Sequence, residues 1–235
     1  MIRILDIFFA ILGLVVLGIF MLGATVINLC TGEHKVLYKQ NRVGKHGKDF
    51  KLYKFATMLE NSPSLAGGLV TAVNDPRVLP FGRFLRRTKV NELPQLLNIL
   101  KGDMSFVGPR PQTRPHYSLY TPEQQRVIDE TGPGLTGVGS LFFRNEEQML
   151  VDCGCDPIRF HDDVVTPHKG DLEVWYAQHK SVWLYFKIIY LTAASIINRH
   201  LNTLSYFKGL PTPPPELMAL LTEEQRVMFG DYLAK

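Results

Sequence analysis

The segment RRTKVNELPQLLNILKGDMSFVGPRP, residues 86–111, decides the fold of the chain around it. Its apolar positions follow the spacing i, i+3, i+4, i+7, which predicts a short helix with one buried face. Those positions are Leu93, Leu96, Leu97 and Leu100. Asn91 stands where an N-cap is favoured, and Pro94 falls in the first turn, where its missing N–H costs little. Lys101 followed by Gly102 predicts the end of the helix.

The head of this helix is a candidate anion-binding site. Helix N-termini favour anions through their free N–H groups and partial positive charge, and Asn91 and Glu92 lie at this one. Arg86 and Arg87 stand just upstream, so the sequence predicts a place where a phosphate group is favoured. On these residues alone a purely structural interpretation stays open, in which Asn91 caps the helix and Glu92 complements its dipole.

The second half of the segment predicts a rigid loop that presents an arginine. Residues 102–111 read GDMSFVGPRP, which places Arg110 between two prolines. A planar guanidinium held in this way suits bidentate phosphate binding. Arg110 is therefore predicted to bind phosphate.

An uncharged run of 21 residues extends from Ile7 to Ile27. It matches the ~20 residues needed to cross the hydrocarbon core of a bilayer. A secretory signal peptide is the alternative, but the run is too long for one, and no small-x-small cleavage site follows before Glu33. Basic residues follow closely, and such residues usually stay cytoplasmic. The three cysteines are too few for a disulfide framework. We therefore predict a membrane anchor, with the rest of the chain on the cytoplasmic side.

Other segments carry local structural signals. Residues 36–55 predict two short strands around the turn at 44–47. The run from Thr121 to Gln124 predicts a helix that starts with a capping box. Residues 182–197 are strongly apolar but carry Lys187 and are short for a span. Both a core helix and a helix lying in the membrane interface fit them.

The block ELPQLLNILKGDMSFVGPRP, residues 92–111, resembles the signature of the bacterial sugar transferases, the small monotopic phosphoglycosyl transferases. Residues 39–58, KQNRVGKHGKDFKLYKFATM, are similar to a second block of that family. GPGLTG at 132–137 resembles the third, and EVWYAQHKSVWLYFKIIYLT at 173–192 the family's amphipathic close. The resemblance covers roughly residues 3–200.

The resemblance implies an enzyme that moves a sugar-1-phosphate from a nucleotide diphosphate sugar to a polyprenyl (undecaprenyl) phosphate, with Mg²⁺ as cofactor. It also implies that an Asp-Glu dyad at the head of the helix carries the chemistry, the Asp forming a covalent phosphosugar intermediate. The matching positions here are Asn91 and Glu92. Mg²⁺ needs only one or two carboxylates from a protein; Glu92 is the nearest candidate and Asp103 the second. The expected phosphate-binding residues are Arg110, Lys54, Arg86 and Arg87.

Asn91 departs from the family pattern, because an amide cannot act as a carboxylate nucleophile. Four explanations are open. Glu92 takes the nucleophile's role; or the lipid phosphate attacks directly; or the chain is an inactivated form that still binds; or Asn91 holds substrate while another acid such as Asp103 works. The otherwise intact motif favours a natural active variant.

Three further departures concern binding and topology. Ala56 stands where the resemblance implies a basic residue. Leu17-Gly18 stands near the place of a Ser-Pro break that makes the family's membrane helix re-entrant, so re-entrant and spanning geometries are both open. Val138–Phe142 replaces a Trp-containing stretch, which leaves the sugar preference undetermined.

The predicted fold is α+β and mainly helical. It comprises an N-terminal membrane helix at residues 1–30, re-entrant or spanning, and a compact cytoplasmic catalytic domain at 31–200. That domain carries a short β-hairpin and interfacial amphipathic helices. Residues 201–235 are expected to form a Pro-rich linker and a C-terminal helix.

The expected setting is the cytoplasmic face of the bacterial inner membrane, at the start of O-antigen, capsule or exopolysaccharide synthesis. Membrane lipids are expected partners, and a homodimer is compatible with the sequence. Nucleic acid is not expected, because the basic patches lack an aromatic-interleaved groove. The alternative function, supported by Asn91, is a catalytically silent homologue that binds lipid or nucleotide sugar and regulates a partner.

The stretch from Asp152 to Asp163 concentrates cysteine, histidine and acidic residues. Its spacing is too tight for zinc-ribbon geometry, and the chain has no second cysteine pair. We therefore interpret it as a polar surface loop.

Overall fold

The computed structural model describes residues 1–65, 75–198 and 200–233, which divide into two compact units. The first unit is Met1–Arg42 with Asp49–Ser105, and the second is Val43–Lys48 with Phe106–Lys235. The boundaries expected near residues 30 and 200 stay predictions. The predicted fold class is confirmed, since helices dominate and the strands are few and short.

Two strands and three helices form most of the first unit. They are α1 (Ile2–Cys30), β1 (Leu37–Val43), β2 (Asp49–Phe55), α2 (Pro80–Arg87) and α3 (Gln95–Lys101). β1 and β2 pair as the expected hairpin, with a 3₁₀ turn at Lys45–Gly47. The apolar core of this unit joins α1, β2 and α2 through Ala24, Phe55 and Leu85.

The helix α1 has two different faces. One face is buried and carries small or polar residues, namely Asp6, Ala10, Ala24 and Asn28. The opposite face is an exposed apolar stripe, formed by Ile4, Phe8, Ile11, Val15, Ile19, Leu22 and Val26. By length and composition this helix could cross a membrane.

Both ends of α1 contact other segments of the first unit. At its start, the Arg3 guanidinium donates hydrogen bonds to the carbonyls of Ile99 and Leu100. At its end, Asn28 Nδ2 donates to the Ala56 carbonyl at 3.1 Å. The helix is continuous from Ile2 to Cys30, so it lies along the unit for its whole length of about 43 Å at 1.5 Å per residue.

The helix of the opening segment is shorter than predicted. Asn91 lies in a 3₁₀ turn, Val90–Glu92, and α3 begins only at Gln95, so the expected Asn91 cap is wrong. Leu97 is 38% exposed, whereas Asn98 is fully buried. The reason is polar: Asn98 Nδ2 donates to the Lys51 carbonyl at 2.7 Å, and Asn98 Oδ1 accepts from the Tyr53 N–H at 3.0 Å. The predicted end is confirmed, with Gly102 in the left-handed region at φ 91°.

The second unit is built mainly of helices. Its strands are β3 (Ser105–Val107), which begins at the boundary residue, and β4 (Gly134–Thr136). Its helices are α4 (Arg114–Tyr117), α5 (Pro122–Thr131), α6 (Val138–Phe142), α7 (Glu146–Asp152), α8 (Pro157–Phe160), α9 (Thr166–His179), α10 (Val182–Ile197), α11 (Pro215–Met218) and α12 (Glu223–Leu233). A π-helical turn, His161–Val165, joins α8 to α9.

The α5 start matches its prediction. The Gln124 N–H donates to Thr121 Oγ1 at 3.2 Å, and the Thr121 N–H donates to Gln124 Oε1 at 3.0 Å. This reciprocal pair confirms the capping box. Gln124 also donates to Asp171 of α9 at 2.9 Å, so the cap helps fix α5 against α9.

The helix α10 confirms the core-helix interpretation of residues 182–197, and the interfacial interpretation stays a prediction. Tyr185, Ile188 and Leu191 are fully buried in the core. Trp183 and Tyr190 are exposed on the other side. One face is therefore a core face, and the other presents amphipathic rings to the outside.

The C-terminal segment also packs into the second unit. Leu204, Leu217 and Phe229 are buried, and the Phe229 ring lies 6.2 Å from that of Phe142. The segment expected to be a linker thus supplies core side chains to the second unit.

Candidate active site

A carboxylate–ammonium pair in the first unit joins the 39–58 block to the 92–111 block. Lys54 Nζ of β2 lies 3.8 Å from Glu92 Oε1, and the two side chains are 19% and 15% exposed. Asn98 fixes this geometry indirectly, because its amide binds α3 to the backbone of β2. The structure therefore brings together Lys54 and Glu92, two residues that the sequence predicted for phosphate binding and catalysis.

Next to Glu92, the Asn91 side chain is buried at 8% exposure. Among the described residues, its Oδ1 has no hydrogen-bond partner, and neither has Nε2 of the buried Gln95. Buried polar atoms are normally hydrogen-bonded, so these two mark a place suited to a polar ligand group. An amide oxygen beside a carboxylate is also a donor set that Mg²⁺ accepts, since that ion prefers oxygen ligands.

The two upstream arginines differ in their surroundings. Arg86 and Arg87 form the last turn of α2. Arg86 is partly buried and its Nη1 lies 3.7 Å from Met58 Sδ, whereas Arg87 is exposed. Both belong to the first unit, as do Lys54 and Glu92.

Asp103 is not brought together with Glu92. The seven residues of α3 separate them, about 10 Å along the helix axis. Asp103 Oδ2 accepts a hydrogen bond from Asn98 Nδ2 at 2.9 Å, at the far end of α3. Glu92 and Asp103 therefore do not form one carboxylate pair in this arrangement, and Asp103 as a metal ligand stays a prediction.

Arg110 belongs to the second unit, where its loop is joined to the GPGLTG block by backbone contacts. The Gly108 N–H donates to the Thr136 carbonyl at 2.9 Å, and the Gly134 N–H donates to the Pro109 carbonyl at 2.8 Å. A Cβ on Gly134 would lie 2.1 Å from Gly108 N, so only glycine permits this approach. Two of the sequence blocks thus form one rigid support for Arg110.

The sequence did not single out Glu173, whose carboxyl group the structure places against the Arg110 loop. Its carboxyl accepts a hydrogen bond from the Arg110 backbone N–H, and a Cβ on Gly139 would lie 2.6 Å from Glu173 Oε1. Burial raises the pKa of Glu173 to about 8, although the Arg110 hydrogen bond and the charge of Lys169 oppose the rise. Its one sequence signal was its place at the start of the family's amphipathic close.

A second carboxylate in this unit behaves differently. Glu146 Oε1 and Oε2 accept hydrogen bonds from Lys169 Nζ at 2.7 and 2.8 Å. Burial favours a raised pKa for Glu146, but Lys169, His161 and Arg110 together hold the pKa below its usual value. Glu146 is therefore ionised at neutral pH, whereas Glu173 retains its proton for the most part.

Three relatives are similar to this chain over most of its length. Galactosyl transferase CpsE of Streptococcus agalactiae is 34% identical over 205 residues, which are 83% of this chain and 42% of the relative. The uncharacterized sugar transferase EpsL of Bacillus subtilis is 38% identical over 162 residues, 69% of this chain and 70% of the relative. The UDP-glucose:undecaprenyl-phosphate glucose-1-phosphate transferase of Escherichia coli is 36% identical over 162 residues, 67% of this chain and 32% of the relative.

The family model described as "Bacterial sugar transferase" matches residues 1–199, which include α1, the blocks at 39–58, 92–111 and 132–137, and α10. The matched range contains Lys54, Glu92 and Arg110, and it ends before the C-terminal segment that packs on the second unit. On this match and the named relatives, the chain belongs to the bacterial sugar transferase family.

Proposed function

We propose that this chain moves a sugar-1-phosphate from a nucleotide diphosphate sugar to undecaprenyl phosphate, in the first step of a bacterial surface polysaccharide. The Lys54–Glu92 pair carries the proposal, together with the adjacent Asn91, whose Oδ1 has no hydrogen-bond partner within the part of the chain that the structure describes. The names of relatives support it, since the E. coli protein is named for transfer of glucose-1-phosphate to undecaprenyl phosphate. A silent homologue is not favoured, because the named relatives are transferases.

Glu92 has two chemically distinct roles open to it. As nucleophile, a Glu92 oxygen attacks the sugar-bearing phosphorus, and the bond from that phosphorus to the bridging oxygen breaks, releasing nucleoside monophosphate. An oxygen of the lipid phosphate then attacks the same phosphorus and frees the carboxylate. As a binding group, Glu92 only positions the diphosphate, and the lipid phosphate attacks directly in line.

Lys54 and Mg²⁺ would balance the charge of the diphosphate. Lys54 lies close enough to Glu92 to neutralise it and to contact a phosphate placed beside it. Glu92 and the Asn91 amide oxygen would hold the ion, which would neutralise developing charge on the diphosphate oxygens. Arg86 and Arg87 add positive charge on the same unit, and Arg110 is proposed to grip a phosphate through its two-pronged guanidinium.

We also propose that α1 attaches the protein to the cytoplasmic leaflet without carrying its N-terminus across. Both ends of α1 contact the first unit, and the helix presents its apolar stripe on the opposite side. A helix that spanned the bilayer would take one of those ends away from its partners. The exposed rings of Trp183 and Tyr190 on α10 suit head-group depth as well.

Attachment is tested by washing and by labelling. Apolar burial is not weakened by salt, so the protein should stay with membranes through high salt and carbonate. A tag placed before Met1 should be protected from reagents supplied at the periplasmic face. Periplasmic labelling of that tag would contradict the proposed topology and favour a span.

Activity is tested by release of nucleoside monophosphate from a panel of nucleotide sugars, with and without undecaprenyl phosphate. Lipid-dependent release from at least one sugar is expected. If lipid is withheld, a hydroxylamine-sensitive phosphosugar on the protein identifies a carboxylate nucleophile, and its loss in Glu92→Gln assigns that role to Glu92. Absence of the adduct in the wild-type chain supports direct transfer. Binding of nucleotide sugar without any release would instead support the silent homologue.

Asn91→Asp is the companion variant. A large gain in rate would mean that the amide impairs the dyad usual in the family. An unchanged rate would mean that this chain works with Glu92 as its acidic group.

A further inference from the structure

A cluster of three metal-ligating side chains lies in the second unit, apart from the residues proposed for transfer. It consists of His116, His161 and Asp162, whose nearest ligand atoms all lie within 4.8 Å of one another. His161 is buried, while His116 and Asp162 are half-buried. Separate elements bring them together, since His116 belongs to α4 and the other two to the π-helical turn.

The π-helical turn sets the orientation of the two adjacent ligands. Successive residues of a regular α-helix point about 100° apart. Here His161 Nδ1 and Asp162 Oδ1 are hydrogen-bonded to each other at 2.7 Å, so the two side chains converge, and a bound metal ion would replace the proton between them. π-Helical turns are uncommon and occur frequently at functional sites. The turn is therefore an independent sign that this cluster does more than fill space.

The two imidazoles face each other across a short distance. The ring centroids of His116 and His161 are 4.9 Å apart and their planes are tilted by 50°. Around a tetrahedral Zn²⁺ with bonds near 2.0–2.1 Å, ligand atoms lie about 3.4 Å apart. The 4.8 Å outer limit would have to contract by about 1.4 Å, and the 2.7 Å contact between His161 and Asp162 would have to lengthen by about 0.7 Å, which side-chain rotation can supply.

A fourth residue completes the arrangement expected around a metal-bound histidine. Such a histidine usually donates its other ring N–H to a carboxylate, which fixes the ring. With Nδ1 directed at Asp162, the other nitrogen, Nε2, lies 3.5 Å from Glu146 Oε1. Lys169 holds that Glu146 carboxylate in place.

We propose that His116, His161 and Asp162 bind a divalent transition-metal ion of the Zn²⁺ class, with Glu146 as the supporting carboxylate. Two imidazoles and one carboxylate suit such an ion and do not suit Mg²⁺, which prefers oxygen ligands alone. The ion would tie α4 to the π-helical turn and so stabilise the second unit. It is a different ion, on different residues, from the Mg²⁺ proposed for transfer.

The test measures metal content and thermal stability, and it does not depend on transfer activity. The full chain is purified in detergent without a histidine tag, treated with chelator, and dialysed against a small excess of Zn²⁺ in the presence of millimolar Mg²⁺. Bound zinc is counted by mass spectrometry, and the melting temperature is recorded with and without Zn²⁺. Co²⁺ in place of Zn²⁺ adds a readout through its visible absorption.

The variants separate a built site from chance binding. His116→Ala and Asp162→Asn change half-buried residues, so they keep the test valid if the buried His161→Ala fails to fold. His179→Ala is the matched control, because that ring stacks on Trp175 at 4.3 Å, outside the cluster. Cys153→Ser with Cys155→Ser removes the two neighbouring free thiols as a source of zinc binding.

The proposal expects about one zinc per chain and a higher melting temperature with Zn²⁺. In His116→Ala and Asp162→Asn the zinc bound per chain should fall at least tenfold, and the zinc-dependent rise in melting temperature should vanish. Both should persist in His179→Ala and in the double serine variant. Zinc retention that survives loss of His116, or that is lost with the cysteines, overturns the proposal. So does a wild-type chain that keeps no zinc, since the cluster would then be an ion-pair network around His161.

Discussion

The glutamates Glu92 and Glu173 occupy opposite kinds of environment. Glu92, in the first unit, keeps some exposure and lies 3.8 Å from the Lys54 ammonium. Glu173, in the second unit, is buried against glycines, and burial raises its pKa to about 8. A carboxylate that reacts with phosphate must be ionised and accessible to the substrate. A carboxyl group that supports a loop needs only to fit its site and to accept a hydrogen bond. The difference fits the proposal that Glu92 acts on substrate, and it fits a positioning role for Glu173 beneath the Arg110 loop.

The largest effect is expected from Glu92→Gln. Gln keeps the shape of the side chain but removes the charge, so turnover should fall at least about 100-fold while the fold survives. Initial rates and a melting curve check this. Glu60→Gln is the control, because Glu60 pairs with Lys35 at an exposed surface site, where loss of the pair should cost under about 1 kcal/mol. A fully active Glu92→Gln enzyme would end the assignment of Glu92.

The Arg110→Lys variant tests whether the loop that Glu173 supports needs the planar shape of the guanidinium and not only its positive charge. Lys keeps the positive charge but loses the two-pronged donor, so kcat/KM should fall about 10- to 100-fold. The exposed Arg159→Lys, made in parallel, should leave kcat/KM unchanged. Equal kinetics for Arg110→Lys and wild type would remove the proposed clamp.

Glu173→Gln should reveal the buried proton as a pH dependence of stability. The pKa of Glu173 rises from 4.5 to about 8 on folding, so between these values the folded chain holds a proton that the unfolded chain has lost. The stabilisation is complete below pH 4.5 and is lost as pH rises toward 8, by up to about 1.4 kcal/mol per pH unit. Gln cannot lose a proton, so the melting temperature of Glu173→Gln relative to wild type should rise across this window.

The control for that series is Glu123→Gln, which changes an exposed glutamate of α5. Its melting temperature relative to wild type should stay flat from pH 5 to pH 8. A flat profile for Glu173→Gln as well would mean that Glu173 is ionised in the folded protein.

The smallest effect is expected from Asp103→Asn, in the same unit as Glu92. Asp103 lies at the far end of α3, where its carboxylate accepts a hydrogen bond from Asn98. Turnover and the Mg²⁺ concentration for half-maximal rate should therefore stay within about twofold of wild type. A marked rise in the Mg²⁺ requirement would return Asp103 to the metal site.

Local signals in the sequence predicted local structure well. The hairpin at 36–55, the capping box at Thr121 and the glycine end of α3 all depend on neighbours in the chain, and the structure confirms each of them. The family was also recognisable, because the 92–111 block is long and contiguous.

Long-range partners explain what the sequence could not predict. Leu97 lost its buried position to Asn98 because the amide finds backbone partners on β2, which no periodicity reveals. Asn91 is not a cap, because the chain makes a 3₁₀ turn before α3 begins. The structural roles of Glu173 and His116 depend on residues that are distant in the chain. Gly139 packs against Glu173, and the His161 ring packs against His116.

The two anchored ends of α1 have a consequence for the choice of membrane. A spanning helix must match the hydrocarbon thickness, and mismatch costs free energy that sorts proteins among membranes. In the proposed leaflet attachment, α1 is held by Arg3 and Asn28 at its two ends and has no such length to match. Its hold on the lipid would then depend on the width of the apolar stripe and not on bilayer thickness, so one such protein would serve thin and thick membranes alike.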